Sequence, residues 1–192
     1  LKEGKIKISE LFREITNLRG KDKLIRISEF FMDIPYSKGS ISEVAEKEQK
    51  LTIDFEGVDC MTFLEYLEAL RLSYDYESFV NNLKWIRYFN GIVNFKNRRH
   101  FFSDWDTIAT LENVTTEIGE HFHKTTLKEL NKISERKKLI KALPIKIKRI
   151  NYIPTTDIDK ILDKFTSVYY CGFYTSKKGL DVTHVGLLIR DN

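Results

Sequence analysis

Cysteine is scarce in this chain: Cys60 and Cys171 are the only two in 192 residues. Two thiols make no disulfide framework, and a single bridge would consume both. Proline and glycine are also few, three and nine, which excludes a collagen-like or Pro/Gly-rich low-complexity chain. No apolar run approaches the roughly 20 residues that cross a bilayer, so no membrane span is expected. Neither sign of charge dominates. The 32 basic and 28 acidic residues leave a net +4, too little to argue for nucleic acid as a partner. His121 and His123 flank Phe122 in a polar stretch, and no cysteine or carboxylate completes a ligand set with them at the usual spacing, so no metal is expected.

What is present suits a soluble globular protein: 42% hydrophobic and 31% charged residues, in a length that allows one domain with a sizeable core. The chain opens on Leu1 rather than Met, which reads as the loss of an N-terminal segment, by removal of a leader or by trimming. There is no internal repeat and no linker.

The first half reads as helical. Ser9 is expected to cap a run with Leu11, Phe12, Ile15 and Leu18 on one face, ended by Gly20. Asp22 opens a second run, with Leu24, Ile27, Phe30 and Phe31, which stops before Pro35. "PYSKGS" is a turn by composition, and Glu43 to Lys50 is a polar loop or surface helix. Phe79, Leu83 and Ile86 mark a further helix ending near Gly91. "NFKNRRHFFSDW" is irregular, and Asp104 is expected to cap a helix with Ile108, Leu111 and Val114 as its face. The chain then changes character. "IKIKRI" alternates as a strand, "IDKILDKF" is a short helix, and "SVYYCGFYTS" and "THVGLLI" are strands. Helices first and strands later imply an α+β fold with an antiparallel sheet.

One stretch carries chemistry. In "GVDCMTFLEYLEALRL", Phe63, Leu64, Leu67 and Leu70 form an apolar helical face and Thr62, Glu65, Glu68 and Arg71 a polar one. Asp59 is a good N-cap and Gly57 permits a tight entry. Cys60 then falls in the first turn, where free N–H groups and the positive end of the helix dipole favour a thiolate and can hold an oxyanion. A small buried hydrophobe capping a core helix is the alternative. His184 opens the last apolar strand after a "KKGLD" turn, a place where a base, or a structural histidine, is held rigidly. Lys132, Arg136, Lys137, Lys138, Lys141, Lys146, Lys148 and Arg149 cluster with only Glu135 opposing them. They form a solvated face or a surface that attracts an anionic polymer.

Taken together, "FFMDIPYSKGS", "GVDCMTF", "HFFSDW" and "GLDVTHVGLLI", in this order, resemble the N-acetylmuramoyl-L-alanine amidase-like branch of the NlpC-type, papain-like cysteine hydrolases, from about Phe30 to Ile189. Met61-Thr62 replace the Ser-Gly pair common in the wider superfamily. The resemblance implies a papain-like core, with the nucleophile helix packed on an antiparallel sheet and extra helices added. It makes Cys60 the nucleophile and His184 the base, with Tyr36 and Asp59 near the nucleophile and the oxyanion. Ser103, Asp104, Trp105, His100 and Arg98, with Arg99, become candidate contacts to substrate: Trp105 a face for a sugar, the arginines and His100 partners for lactyl or peptide carboxylates. Cys171 is expected in the core. Such sites use a third polar residue on the next strand; the sequence ends at Asn192, so residues 1–192 are read as a single amidase domain lacking its C-terminal strands.

The implied activity is hydrolysis of the amide between N-acetylmuramic acid and L-alanine in peptidoglycan or muropeptides. No cofactor is needed, and the implied protein is a monomer in the periplasm or cell envelope. The alternatives are a stem-peptide endopeptidase of the same superfamily and a catalytically inactive module that binds cell-wall glycan.

Overall fold

The computed structural model describes residues 2–37 and 50–190, with side chains from residue 8 onward. The polar segment expected from Glu43 lies outside the described residues as far as residue 49. The chain divides into two compact units, residues 1–99 and 100–192, each described here by itself.

Among the described residues the first unit holds four α-helices: α1 (Lys2–Ile15), α2 (Gly20–Phe30), α3 (Cys60–Arg71) and α4 (Tyr76–Arg87). Ile8, Leu11, Phe12 and Ile15 are the buried stripe of α1, and Leu24 and Ile27 that of α2. Ser9 is not a cap, because α1 begins at Lys2 and Ser9 lies inside it. Gly20, at φ 51°, begins α2 rather than ending α1, and Asp22 sits in that helix's first turn behind an N-cap at Arg19. A capping box between Asp75 and Ser78 starts α4. The Ser78 N–H donates to Asp75 Oδ1 (2.8 Å), and the Asp75 N–H donates to Ser78 Oγ (3.0 Å).

The centre of this unit is α3, buried on nearly every side. Leu64, Leu67 and Leu70 are fully buried, and so are Glu65 and Glu68 of its polar face. A buried carboxylate needs a counter-charge and hydrogen bonds. Arg87, itself fully buried, donates from Nε to Glu65 Oε2 (2.7 Å) and from Nη1 to the Thr52 carbonyl (2.6 Å). Arg71 grips Glu68 with two hydrogen bonds of 2.7 Å. On the same helix, Tyr66 lies among Phe31, Phe55 and Phe79, with ring centroids 5.1–6.0 Å apart, and its hydroxyl accepts from the Asp54 N–H (2.8 Å). Arg87 and Tyr66 thereby fix the extended segment that leads into α3.

Among the described residues, the second unit holds all the strands. A 3₁₀ turn (Phe102–Thr107) and the short α5 (Thr115–Gly119) come first. The strands are β1 (Lys124–Leu130), β2 (Lys132–Ser134), β3 (Lys137–Lys138), β4 (Lys146–Tyr152), β5 (Val168–Tyr174) and β6 (Val182–Ile189). A 3₁₀ run, Thr155–Lys164, precedes β5. Helices concentrated in one unit and strands in the other make an α+β chain. Among the described residues the strands form three two-stranded antiparallel ribbons, β1 with β4, β2 with β3 and β5 with β6, rather than one sheet. The helix expected over Ile108, Leu111 and Val114 does not form. Asp104 caps the 3₁₀ turn from within, accepting the Phe101 N–H (3.3 Å). Ile118, Ile161 and Phe165 make a core into which Tyr169 and Leu188 pack.

Two buried polar residues fasten the ribbons. Asn131, fully buried at φ 72°, donates its side-chain amide to the carbonyls of Ile140, Leu143 and Pro144 and accepts the Ile140 N–H (2.7 Å). Lys128 donates to the carbonyls of Thr175 (2.9 Å) and Lys177 (2.8 Å), holding the connection between β5 and β6. Burial pulls the pKa of its ammonium down, against the opposite pull of Asp181.

Breaking the Glu65–Arg87 pair from one side should strand a buried charge. Arg87→Ala or Glu65→Ala is expected to cost about 3–5 kcal/mol, whereas the double change Glu65→Leu/Arg87→Met should cost far less. Urea unfolding followed by helical circular dichroism checks both.

Candidate active site

In the first unit the candidate centre is Cys60, half-buried at the first position of α3. Asp59 is the N-cap, in extended conformation. Its Oδ1 accepts the Thr62 N–H (2.7 Å), while its carbonyl takes the Phe63 N–H (2.9 Å). Among the described residues that leaves the N–H groups of Cys60 and Met61 as first-turn donors an anion could meet. The approach is built by a parallel bridge between Tyr36 and Val58: Ser37 N–H donates to the Val58 carbonyl, and Val58 N–H to the Pro35 carbonyl, both at 3.1 Å. This pairing sets Tyr36, an exposed residue, beside the strand-like position two residues before Cys60. Gly57 makes the approach possible, since a Cβ there would lie 2.6 Å from Ser37 Cβ.

In the second unit the candidate centre is His184, exposed near the start of β6. Its cross-strand partner is Phe173, and the two rings stack with centroids 5.9 Å apart at 30°. A register irregularity falls beside this pair, between Phe173 and Tyr174, where Tyr174 stacks flat on Tyr152 (3.9 Å, 4°). Cys171 is half-buried on β5. Burial pushes its thiol pKa above the ordinary value, partly offset by a hydrogen bond from the Gly186 backbone.

The "HFFSDW" segment packs onto the opposite face of the same ribbon. Phe102 lies over Gly172, where a Cβ would come within 2.6 Å of the ring. Trp105 meets Tyr170 edge-on at 5.5 Å. Asp181, 2% exposed just ahead of β6, accepts the Ser103 N–H on Oδ2 (2.7 Å) and its neighbour Val182's N–H on Oδ1 (2.8 Å). Lys146 pairs with Asp104 (3.1 Å) and Lys148 with Asp106 (2.7 Å), which ties β4 to the turn.

These contacts revise several expected roles. Trp105 is 4% exposed, so its ring offers no face on which a sugar could stack; it is core. Its Nε1 and the Ser103 hydroxyl are buried donors that have no hydrogen-bond partner among the described residues. Asp104 is buried and committed to Phe101 and Lys146. Arg99 closes α4, donating to the carbonyls of Trp85 (2.8 Å) and Ile86 (3.1 Å) with its guanidinium over Phe89, a use of cationic charge suited to a helix C-terminus. Arg98 turns inward, its Nη2 3.9 Å from Glu65 Oε1. His100 is half-buried at the start of the second unit. The lysine cluster is only partly a free face, since Lys146 and Lys148 are paired and Lys132 bridges Glu129 and Glu135. Gly172 and Asp181 were missed as positioning residues. The signal for the first was there, because a glycine inside an aromatic strand marks a close approach.

The fold has solved counterparts. A Legionella pneumophila protein matched by the DUF1460 family model shares 20% identity over all of this chain and 81% of its own, with a TM-score of 0.76. A Bacteroides uniformis N-acetylmuramoyl-L-alanine amidase shares 23% identity over 88% of this chain and 80% of its own, with a TM-score of 0.70. A candidate xylanase from Bacteroides fragilis shares 28% over 85% and 80%, with a TM-score of 0.64. The first two identities carry the fold alone. No curated protein gives a significant match. Residues 26–192 match the model of the AmiA-like family, described as N-acetylmuramoyl-L-alanine amidase-like, and the chain belongs to that family.

Two measurements check the local geometry. Because its thiol pKa is raised, Cys171 carries less thiolate at pH 8 than an ordinary cysteine. Iodoacetamide should therefore label it more slowly than Cys60, and its rate should still be climbing as the pH passes the reference value of 9.0. Separately, Asp181→Ala removes a buried acceptor of two N–H groups. At about 1.5–3 kcal/mol for each hydrogen bond to a charged group, it should lower stability by a few kcal/mol and cost the Ser103 and Val182 amides their protection from hydrogen exchange.

Proposed function

We propose that this protein is a cysteine hydrolase of the NlpC-type, papain-like class. On this reading it cleaves the amide joining N-acetylmuramic acid to L-alanine in peptidoglycan or muropeptides, and it works in the cell envelope. The observation that carries the reading is Cys60, placed at the Asp59-capped start of a buried helix in a chain of an amidase-like family. The thiolate of Cys60 attacks the lactyl carbonyl, and the N–H groups of Cys60 and Met61 receive the developing oxyanion. His184 takes the thiol proton and returns it to the leaving amine of L-alanine, which releases the stem peptide and leaves a thioester. Water, deprotonated by His184, then cleaves the thioester and restores the thiol.

The test is mass spectrometry of products from a defined muramyl tetrapeptide. The expected products are the lactyl-bearing sugar and a free peptide with L-alanine at its N-terminus; the same peptide lacking the sugar should stay intact. Cys60→Ala should lower turnover by at least about a thousandfold, and His184→Ala by about 10²–10⁴-fold, the span of general acid–base catalysis. Cleavage inside the stem peptide, with the lactyl amide whole, would favour an endopeptidase. Binding of wall glycan with no turnover would favour an inactive module.

A further inference from the structure

The face of the β5–β6 ribbon that carries His184 is only partly covered. Side chains alternate along a strand, and the register places Phe173 opposite His184, Cys171 opposite Gly186 and Tyr169 opposite Leu188, all on that face. Tyr169 and Leu188 pack into the Ile118–Ile161–Phe165 core and close one end. Phe173 is 55% exposed at the other. Between them a Cβ added to Gly186 would meet no atom of the described residues within 4 Å. The backbone glycine is thus the floor of an open shelf, two residues from His184 along the strand, about 7 Å. Its rim is an aromatic ring, a half-buried thiol and the imidazole, with no formal charge besides any on the imidazole itself. Gly186 is not among the positive-φ glycines, so its backbone does not require glycine. The missing side chain leaves room rather than conformational freedom.

We infer that this shelf seats the small apolar side chain of the residue on the leaving amine, the L-alanine methyl in the proposed reaction. The inference rests on the reading of His184 as the group that protonates that amine. Whatever is bonded to the nitrogen must then lie beside the imidazole, and the shelf is an open apolar surface next to it. Its closed end limits the occupant to a small group.

Gly186→Val builds into the shelf from a Cβ that meets no described atom within 4 Å and adds a strand-favouring residue, so the variant should fold, which its melting midpoint checks. Its kcat/KM on a muramyl peptide beginning with L-alanine should fall at least about tenfold, while a glycine-first substrate loses much less and Cys60 keeps its alkylation rate. Equal kcat/KM for Gly186→Val and wild type overturns the shelf. A second readout needs no turnover. In Cys60→Ala, Cys171 is the only thiol, and the same muramyl peptide should slow its labelling by iodoacetamide several-fold; no protection overturns the inference. If wild type cuts another bond but Cys171 is protected, the proposed reaction fails and the shelf stands. If the lactyl amide is cut but neither Gly186→Val nor protection shows an effect, the shelf fails and the reaction stands.

Discussion

A carboxylate taken out of water must find its counter-charge or its hydrogen bonds inside the fold, and both units of this chain are organised by that requirement. In the helical unit, Glu65 draws in Arg87, and Arg87 in turn reaches the Thr52 carbonyl. One ion pair therefore joins α3 to α4 and to the extended segment before Cys60. In the strand unit, Asp181 has no cationic partner at hydrogen-bond distance among the described residues; it holds two backbone N–H groups instead. Asp104 takes the other course and reaches Lys146. Each of these groups would be costly alone, and each becomes a fixed point because at least one of its partners comes from a different element.

The consequence is that rigidity is delivered to the two candidate side chains from behind. Cys60 is placed by an N-cap, by a bridge through Val58 and by the segment that Arg87 and Tyr66 hold. His184 sits on a ribbon whose far face is covered by Phe102 and Trp105 and whose connection is held by Lys128. The "HFFSDW" segment, which looked like a set of substrate contacts, is a fastening on the side of the ribbon away from the imidazole. The aromatic ring next to His184 is Phe173, an exposed residue that no motif marked.

What was legible in the sequence follows the strength of the local signal. The α3 helix and its Asp59 cap were readable because apolar periodicity and cap chemistry agree there, and β4 to β6 because alternation and aromatic content agree. The first helix was placed several residues late, because Ser9 is a good cap type and nothing local reveals that the helix has already begun. The β1 strand went unseen since "KTTLKEL" keeps only Lys128 and Leu130 buried, too sparse a pattern to read. The burial of Glu65, Asp104 and Arg99 was out of reach for a different reason: charged residues are assigned to the surface by default, and only their distant partners overturn that. Trp105 failed in the same way, its neighbour Tyr170 lying 65 positions along the chain.

Asn131 adds a constraint on the chemical lifetime of the protein. Its amide nitrogen faces three carbonyl oxygens, and its carbonyl accepts a backbone N–H. Deamidation, the slow hydrolysis that ages asparagine in stored protein, would turn that nitrogen into a second acceptor, ionised at neutral pH and pointed at three others. A change of one mass unit would thus set repulsion where the β1 end, the loop before β4 and the Gly179 turn now meet, and the damage would begin from inside the strand unit.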